Sequence, residues 1–471
     1  MKLVKDISFL IIAGIILGIV ITFSAGGIFL SLLIFLSGFL IWKCSKEEDR
    51  KFLTYIFISG IAIRMIIYLS YTDISLLFGK GGWFGGDAYG IYNYAWLYVQ
   101  KLEGSRRFLI NSLDNGMAYD MSQDFYNYYG GSYEKLINSF HYGNYGFHGF
   151  TMLLAYLFYI FGPIKFSGRL INILFGALSG IFIYYLVKRI YGQKSAKIAA
   201  VLVTFFPSMF IWSLDFFKDP LYILFSIVAF WSFIMYWDTK KILYIILIFI
   251  AVIIQSTIRE DLWLIGLIPF TLGFFLVLKP TAIKKIVFIS IIGIMLIFFI
   301  HNRGSIYTYI SNKIALALQI HVGNVNTSDL SGGYAYRILD DRYYIPVNYS
   351  VNNITLYEGL GAFLKGWWHF LFQPFIWSIK SKSMLMAFPQ MVLWYMLLMF
   401  AFVGIIFGLR YKWKYAIVMV SYLFLVSSII ALSSGNIGTL FRHRDMITPF
   451  YLIFSAVGIR HLLKIPRETK F

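Results

Sequence analysis

The chain has 471 residues, 59% hydrophobic, 20% aromatic and only 13% charged. Soluble domains carry about twice that charged fraction. The repeated apolar runs near the roughly 20 residues that cross a bilayer therefore point to an all-α polytopic membrane protein. A β-barrel would show short alternating strands instead. The net charge of +19 does not mark a nucleic-acid binder. Lys and Arg gather in short patches between apolar runs, at 43–51, 188–197, 279–285, 410–414 and 460–470. That is the positive-inside pattern, with attraction to anionic lipid headgroups as a further consequence.

The first apolar run, 7–23, follows Met1-Lys2-Leu3-Val4-Lys5. No small-residue cleavage site is convincing and a second run follows at once, so it reads as a membrane helix and not as a signal peptide. It pairs with 26–43 across a turn at Ser24-Ala25-Gly26-Gly27. The single cysteine, Cys44, allows no intrachain disulfide. A third span covers 52–71. With the basic patch near residue 46 in the cytoplasm, 72–147 becomes a long external loop. It holds seven of the 22 acidic residues and eleven tyrosines, a composition of ordered, surface-lying structure and not of a disordered linker.

The run 147–161 is short for a span. If it crossed the membrane, Lys188 to Lys197 and Lys240-Lys241 would fall outside. It is therefore read as an interfacial helix on the outer face. Spans follow at 168–187, 197–214, 220–237, 241–257, 261–278 and 285–301. A second external region, 302–384, contains a tyrosine-rich piece (334–344) and a short apolar piece (363–379). The last spans are 385–409, 415–432 and 446–460, for a total of about 12. The organisation is then an N-terminal hairpin and cytoplasmic turn (1–51), a catalytic membrane core with its external loop (52–301), the second external region (302–384) and C-terminal spans (385–471). No repeat, zinc-ligand spacing, phosphate-binding glycine loop or nucleotide fingerprint is present.

On this topology five polar clusters share one side of the membrane. They are Asp87; His148 with Arg169; Lys218-Asp219; Arg259-Glu260-Asp261; and Arg442-His443-Arg444-Asp445. Ionisable groups at membrane depth are costly and mark function. Asp87 follows Gly85-Gly86, which lets backbone and substrate approach closely. It can serve as a general base for an acceptor hydroxyl or cap the helical stretch Tyr89 to Val99, and the two roles are compatible. His148 can assist that base, bind a metal, or simply pack. Arg169 can grip a phosphate in a fork or snorkel to the interface. Lys218 and Asp219 precede Pro220 and fit the first turn of a helix, and Arg259 can reach a phosphate. Arg64, inside the third span, pairs with a carboxylate or a lipid phosphate. Arg442, His443 and Arg444 stand before an external helix start, against the charge bias, and a phosphate pocket explains that exception.

Taken in order, these residues resemble the GT-C superfamily of integral-membrane glycosyltransferases, near glycosyltransferase family 39. The resemblance runs through most of the chain after residue 50. It rests on Asp87-Ala88-Tyr89 with Tyr94-Ala95, on His148, Phe161-Gly162 and Arg169-Leu170-Ile171-Asn172, and on Lys188-Arg189-Ile190-Tyr191-Gly192 with Pro207. Gln373-Pro374-Phe375-Ile376-Trp377, Trp394-Tyr395 and Phe441-Arg442-His443-Arg444 with Pro449 extend it. It implies inverting transfer of a sugar from a polyprenyl-phosphate carrier on the extracytoplasmic face, with Asp87 as base and with Arg169 and Arg442 to Arg444 holding the carrier phosphate. The acceptor stays open among protein, lipid and glycan. Many relatives carry a second acid where this chain has Ala88. Metal dependence is thus left open between a metal-free site, in which cationic groups stabilise the leaving phosphate, and one with a divalent cation. Two other readings stand beside this one: a polysaccharide polymerase or ligase with a lipid-diphosphate donor, and a lipid-carrier transporter, which would place charges at the bilayer midplane and often show repeats.

Overall fold

The computed structural model describes residues 24–70, most of 88–99, 149–162, 164, 168–259, 263–277, 303–344, 354–377 and 382–463. Among them the fold is helical, with one isolated antiparallel bridge between Ala335 and Asn436. Five helices are long and apolar enough to cross a bilayer, and three shorter apolar helices accompany them. The molecule is an all-α polytopic membrane protein. The predicted spans 7–23 and 285–301 and most of the loop 72–147 lie outside the described residues. The chain divides into two compact units, residues 1–260 with 463–471, and residues 261–462.

The first unit begins with α1 (Ala25–Cys44) and α2 (Glu47–Ser70), the predicted hairpin partner and third span. Ser24 caps α1 by accepting from the Gly27 N–H at 3.1 Å, and three acids fill the first turn of α2, where the helix dipole favours them. Within 88–99 the described residues are helical, as expected. Ala88, Ile91, Tyr92, Ala95 and Val99 form its buried face. Then come α3 (Gly149–Phe161), α4 (Leu170–Tyr191), α5 (Gln193–Phe205), α6 (Pro207–Trp212), α7 (Asp219–Thr239) and α8 (Ile242–Ile258). Helix α3 has only 13 residues, in keeping with a helix too short to span.

The expected single span 197–214 is in fact broken. Helix α5 stops at Phe205, Phe206 turns to an extended conformation (φ −61°, ψ 122°), and α6 restarts with Pro207 in its first turn. Proline has no N–H to give and pushes the preceding residue out of helical geometry. The break leaves terminal carbonyls of α5 in need of donors, and Arg64 meets one of them, donating from Nη2 to the Thr204 carbonyl at 2.9 Å. Arg64 is buried at 1% exposure. Its remaining bonds go to Ser213 Oγ (2.6 Å) and the Gly60 carbonyl (3.0 Å), with the Phe210 ring 4.4 Å away. The expected carboxylate or lipid phosphate is replaced by neutral oxygens, including one at the negative end of a helix dipole.

The second unit holds α9 (Trp263–Val277), α10 (Arg303–Leu330), a 3₁₀ turn (Asp341–Tyr344), α11 (Leu356–Phe372), α12 (Lys382–Ser433), α13 (Ile437–Arg444) and α14 (Thr448–Leu462). The predicted spans 385–409 and 415–432 are the two arms of α12, parted only where Lys412 leaves helical geometry (φ −136°, ψ 39°). Small residues let α12 and α14 touch backbone to backbone. A Cβ on Gly404 would lie 1.8 Å from the Phe454 carbonyl, and one on Gly458 would lie 2.0 Å from that of Phe400. The predicted apolar piece 363–379 is mostly α11, which starts earlier, on a capping box between Thr355 and Glu358.

Candidate active site

In the first unit the polar residues sort to two ends. At one end Ser45, Glu48 and Asp49 meet Tyr184, Tyr185, Lys188 and Gln193. At the other end lie the last turn of α2, the first turns of α4 and α7, and the C-terminus of α8. This second end collects Arg169, Lys218, Asp219 and Arg259.

Its organiser is the segment 213–219, between α6 and α7. Arg169, at the N-cap position of α4, donates from Nε to Asp215 Oδ1 at 2.7 Å and from Nη1 to the Tyr68 hydroxyl at 2.9 Å. The Tyr68 and Phe216 rings each lie 5.3 Å from its guanidinium carbon. Burial opposes its charge, but Asp215 and Tyr68 outweigh burial and hold its pKa above the ordinary arginine value. Three residues on, Asn172 donates to the carbonyls of Asp215 (2.5 Å) and Phe217 (2.8 Å). Asp219, fully buried, opens α7 ahead of Pro220 as expected, and Arg259 Nη2 stands 3.8 Å from its Oδ1. Lys218, half-buried, holds the N-cap position of α7. Three arginines from three helices thus reach one short segment: Arg64 to Ser213, Arg169 to Asp215, Arg259 to Asp219.

Asp87, His148, Glu260 and Asp261 lie outside the described residues, but their chain neighbours are placed. Tyr92, one turn beyond Ala88, packs on Phe216 at 5.2 Å and on Phe158 of α3 at 5.1 Å. Gly149, next to His148, sits so close to α8 that a Cβ there would lie 2.0 Å from Thr257 Oγ1. The chain on either side of the polar end is therefore tied to it.

In the second unit Arg442, His443 and Arg444 form the last turn of α13, where cations complement the helix dipole. They also stand just before the start of α14 at Thr448, as expected. Asn436 caps α13 by accepting from the Thr439 N–H at 3.1 Å. Arg444 is 1% exposed and donates from Nη1 to the Phe370 (3.1 Å) and Gln373 (2.9 Å) carbonyls, between the Trp394 and Phe441 rings. Trp394 and Tyr395 take the Leu371 and Phe372 carbonyls at 2.8 and 2.6 Å, so these three side chains together close the C-terminus of α11. Burial lowers the Arg444 pKa to about 10. Arg442 and His443 are half-buried. Nearby, His321 bonds the Ser434 carbonyl (2.5 Å) and the Tyr344 hydroxyl (3.0 Å), and His369 stacks on Tyr336 at 4.4 Å. Burial pulls both histidines down to about 4.

Sequence reasoning missed Asp215 and Tyr68. Asp215 sits in the apolar run Trp212 to Phe217 without a motif. The usable signal was its four-residue spacing from Asp219, which permits one segment to present both acids. Among the described residues no three His, Cys, Asp or Glu side chains gather as metal ligands.

The helical membrane fold and its arginine-rich polar end are the features to set beside known families. Residues 149–302 match the family model described as dolichyl-phosphate-mannose-protein mannosyltransferase, a GT-C superfamily domain. The match supports a membrane glycosyltransferase of the GT-C type. The matched segment contains Arg169, Asp215, Lys218, Asp219 and Arg259, whereas Asp87 and Arg442 to Arg444 lie beyond it. No curated protein matches the chain.

Proposed function

We propose that this chain transfers a sugar from a polyprenyl-phosphate carrier to an acceptor on the extracytoplasmic face of the cell membrane, by inversion, with Asp87 as general base. One observation carries the reading: three arginines, Arg64 and Arg169 buried and Arg259 half-buried, converge on the 213–219 segment of the matched domain, and Tyr92, in the helix that Asp87 precedes, packs on that same segment. Concentrated guanidinium charge in a site of low dielectric suits a leaving phosphate, and a carboxylate beside it suits an acceptor hydroxyl.

In this account Arg169 and Arg259 hold the phosphate, each already steadied by an acid, and Asp219 and Lys218 fix the start of α7. His148 assists the base. The Arg442 and His443 side chains are a separate anion-holding group on the second unit, and Arg444 serves mainly to close α11. The family description supports a lipid-phosphate sugar donor. The test is sugar transfer by Asp87→Asn protein in lipid nanodiscs. The expected result is loss of transfer with retained donor binding and unchanged thermal unfolding; transfer at the wild-type rate rejects the role of Asp87.

A further inference from the structure

Beyond steadying Arg169, the proposed chemistry gives Asp215 no task. Its Oδ1 accepts from Arg169 Nε at 2.7 Å and from the Phe216 N–H at 2.8 Å. The pair is only partly buried, with side-chain exposures of 10% for Arg169 and 21% for Asp215. The grip is through Nε alone, not the two-pronged fork that would cover an edge of the guanidinium. Among the described residues the hydrogen bonds of Arg169 use Nε and Nη1. Asp215 therefore offsets the charge of Arg169 while leaving Nη2 for another oxyanion.

The reason for such an arrangement lies in the charge change during transfer. The acceptor oxygen forms a bond to the anomeric carbon, and the bond from that carbon to the phosphate oxygen breaks. The electron pair stays on the phosphate, and the acceptor proton passes to Asp87. The donor is a phosphodiester with one negative charge. The spent carrier is a monoester, with about 1.5 to 2 negative charges near neutral pH. A bare, buried guanidinium would hold that product more tightly than the donor, since charge attraction is strong at short range in low dielectric. A fixed carboxylate at hydrogen-bond distance weakens both and weakens the product complex more.

We propose that Asp215 is a positioning residue and counter-charge that moderates the grip of Arg169 on phosphate, so that the polyprenyl monophosphate product can leave. This rests on the function proposed above. The test is binding of polyprenyl monophosphate to wild-type, Asp215→Asn and Asp215→Glu protein in nanodiscs, without turnover, followed by steady-state kinetics. Asn keeps an oxygen for Arg169 and Phe216 but removes the charge. It is expected to bind the monophosphate about tenfold more tightly, with a lower donor KM and a lower kcat together. Glu, which retains the charge, is expected to match wild-type affinity, and Asp215→Ser carries the Asn expectation should the amide variant not fold. A folded Asn variant with unchanged or weaker monophosphate affinity, or a gain equal in Glu, overturns the proposal. Because binding is read without catalysis, a wild-type chain that binds the monophosphate but transfers no sugar rejects the proposed function and leaves the counter-charge result readable.

Discussion

The two ends of the first unit handle charge in opposite ways. At the Lys188 end the buried group is an acid. Asp49 is 1% exposed and accepts from Lys188 and Gln193 and from the Tyr184 hydroxyl, while Lys43, Lys46 and Lys51 stand exposed around it. At the Arg169 end two arginines are buried beside one buried acid, Asp219. Arg64 and Arg169 are 1% and 9% exposed, and their bonds go to hydroxyls, carbonyls and a single carboxylate. Burying a charge is costly unless neighbours compensate it. The first end compensates its acid completely and reads as a clamp between α2, α4 and α5. The second holds its buried arginines on neutral oxygens and one carboxylate, where the proposed function puts an anionic substrate. Similar residue types thus form a closed clamp in one place and, in the proposed function, a substrate site in the other, and the difference lies in the buried guanidinium groups that only the second end carries.

Substitutions at each end break that comparison in different ways. Arg169→Ala should raise the apparent donor KM by about 10- to 100-fold, the range for a lost hydrogen bond to a charged group, measured as initial transfer rates against donor concentration. Lys188→Met should leave donor KM unchanged and instead lower stability by about 3 kcal/mol, since Asp49 stays buried without its cation, read as denaturant unfolding in detergent. A KM effect at Lys188 equal to that at Arg169 would erase the distinction between the ends. Gly149→Ala is a smaller perturbation. Its Cβ would collide with Thr257, costing about 1–3 kcal/mol as overpacking and shifting the chain next to His148. The paired Thr257→Gly change should restore transfer, and failure to restore it would detach α3 from the site.

The smallest effect lies in the second unit. His321 and His369 are held at about 4, against an ordinary 6.5. As pH falls below 6.5 the unfolded chain takes up protons that the folded chain refuses. Stability should therefore be flat above pH 6.5 and decline between 6.5 and 4, and His321→Gln should flatten that decline in a thermal-melt series.

Much of this architecture was legible because a bilayer demands long apolar runs. The described helices from α1 to α8 fall on the predicted runs within a few residues, with one exception. In 197–214 the run is mostly apolar after Lys197, so hydropathy shows one span, and only the stereochemistry of Pro207 divides it. The candidate residues of the matched domain were legible as charges at run ends, and the structure gathers Arg169, Lys218, Asp219 and Arg259 at one end of the first unit. Their partners were not legible. Arg64 and Arg444 find backbone carbonyls of broken or ended helices, which no side-chain pattern announces. Asp215 was hidden because an acid flanked by leucine and phenylalanine has no motif, and its role depends on an arginine 46 positions away.

Which side of the membrane the buried-cation end faces can be read from one native residue. Cys44 is exposed at the end of α1, beside Ser45, which bonds Tyr185 at the Lys188 end. It is the only cysteine in the chain. A membrane-impermeant maleimide added to intact cells should leave Cys44 unlabelled and should label it after permeabilisation, which puts the Arg169 end outside with the proposed chemistry. Labelling of Cys44 in intact cells would turn the arginine-rich end to the cytoplasm and contradict extracytoplasmic sugar transfer by this chain.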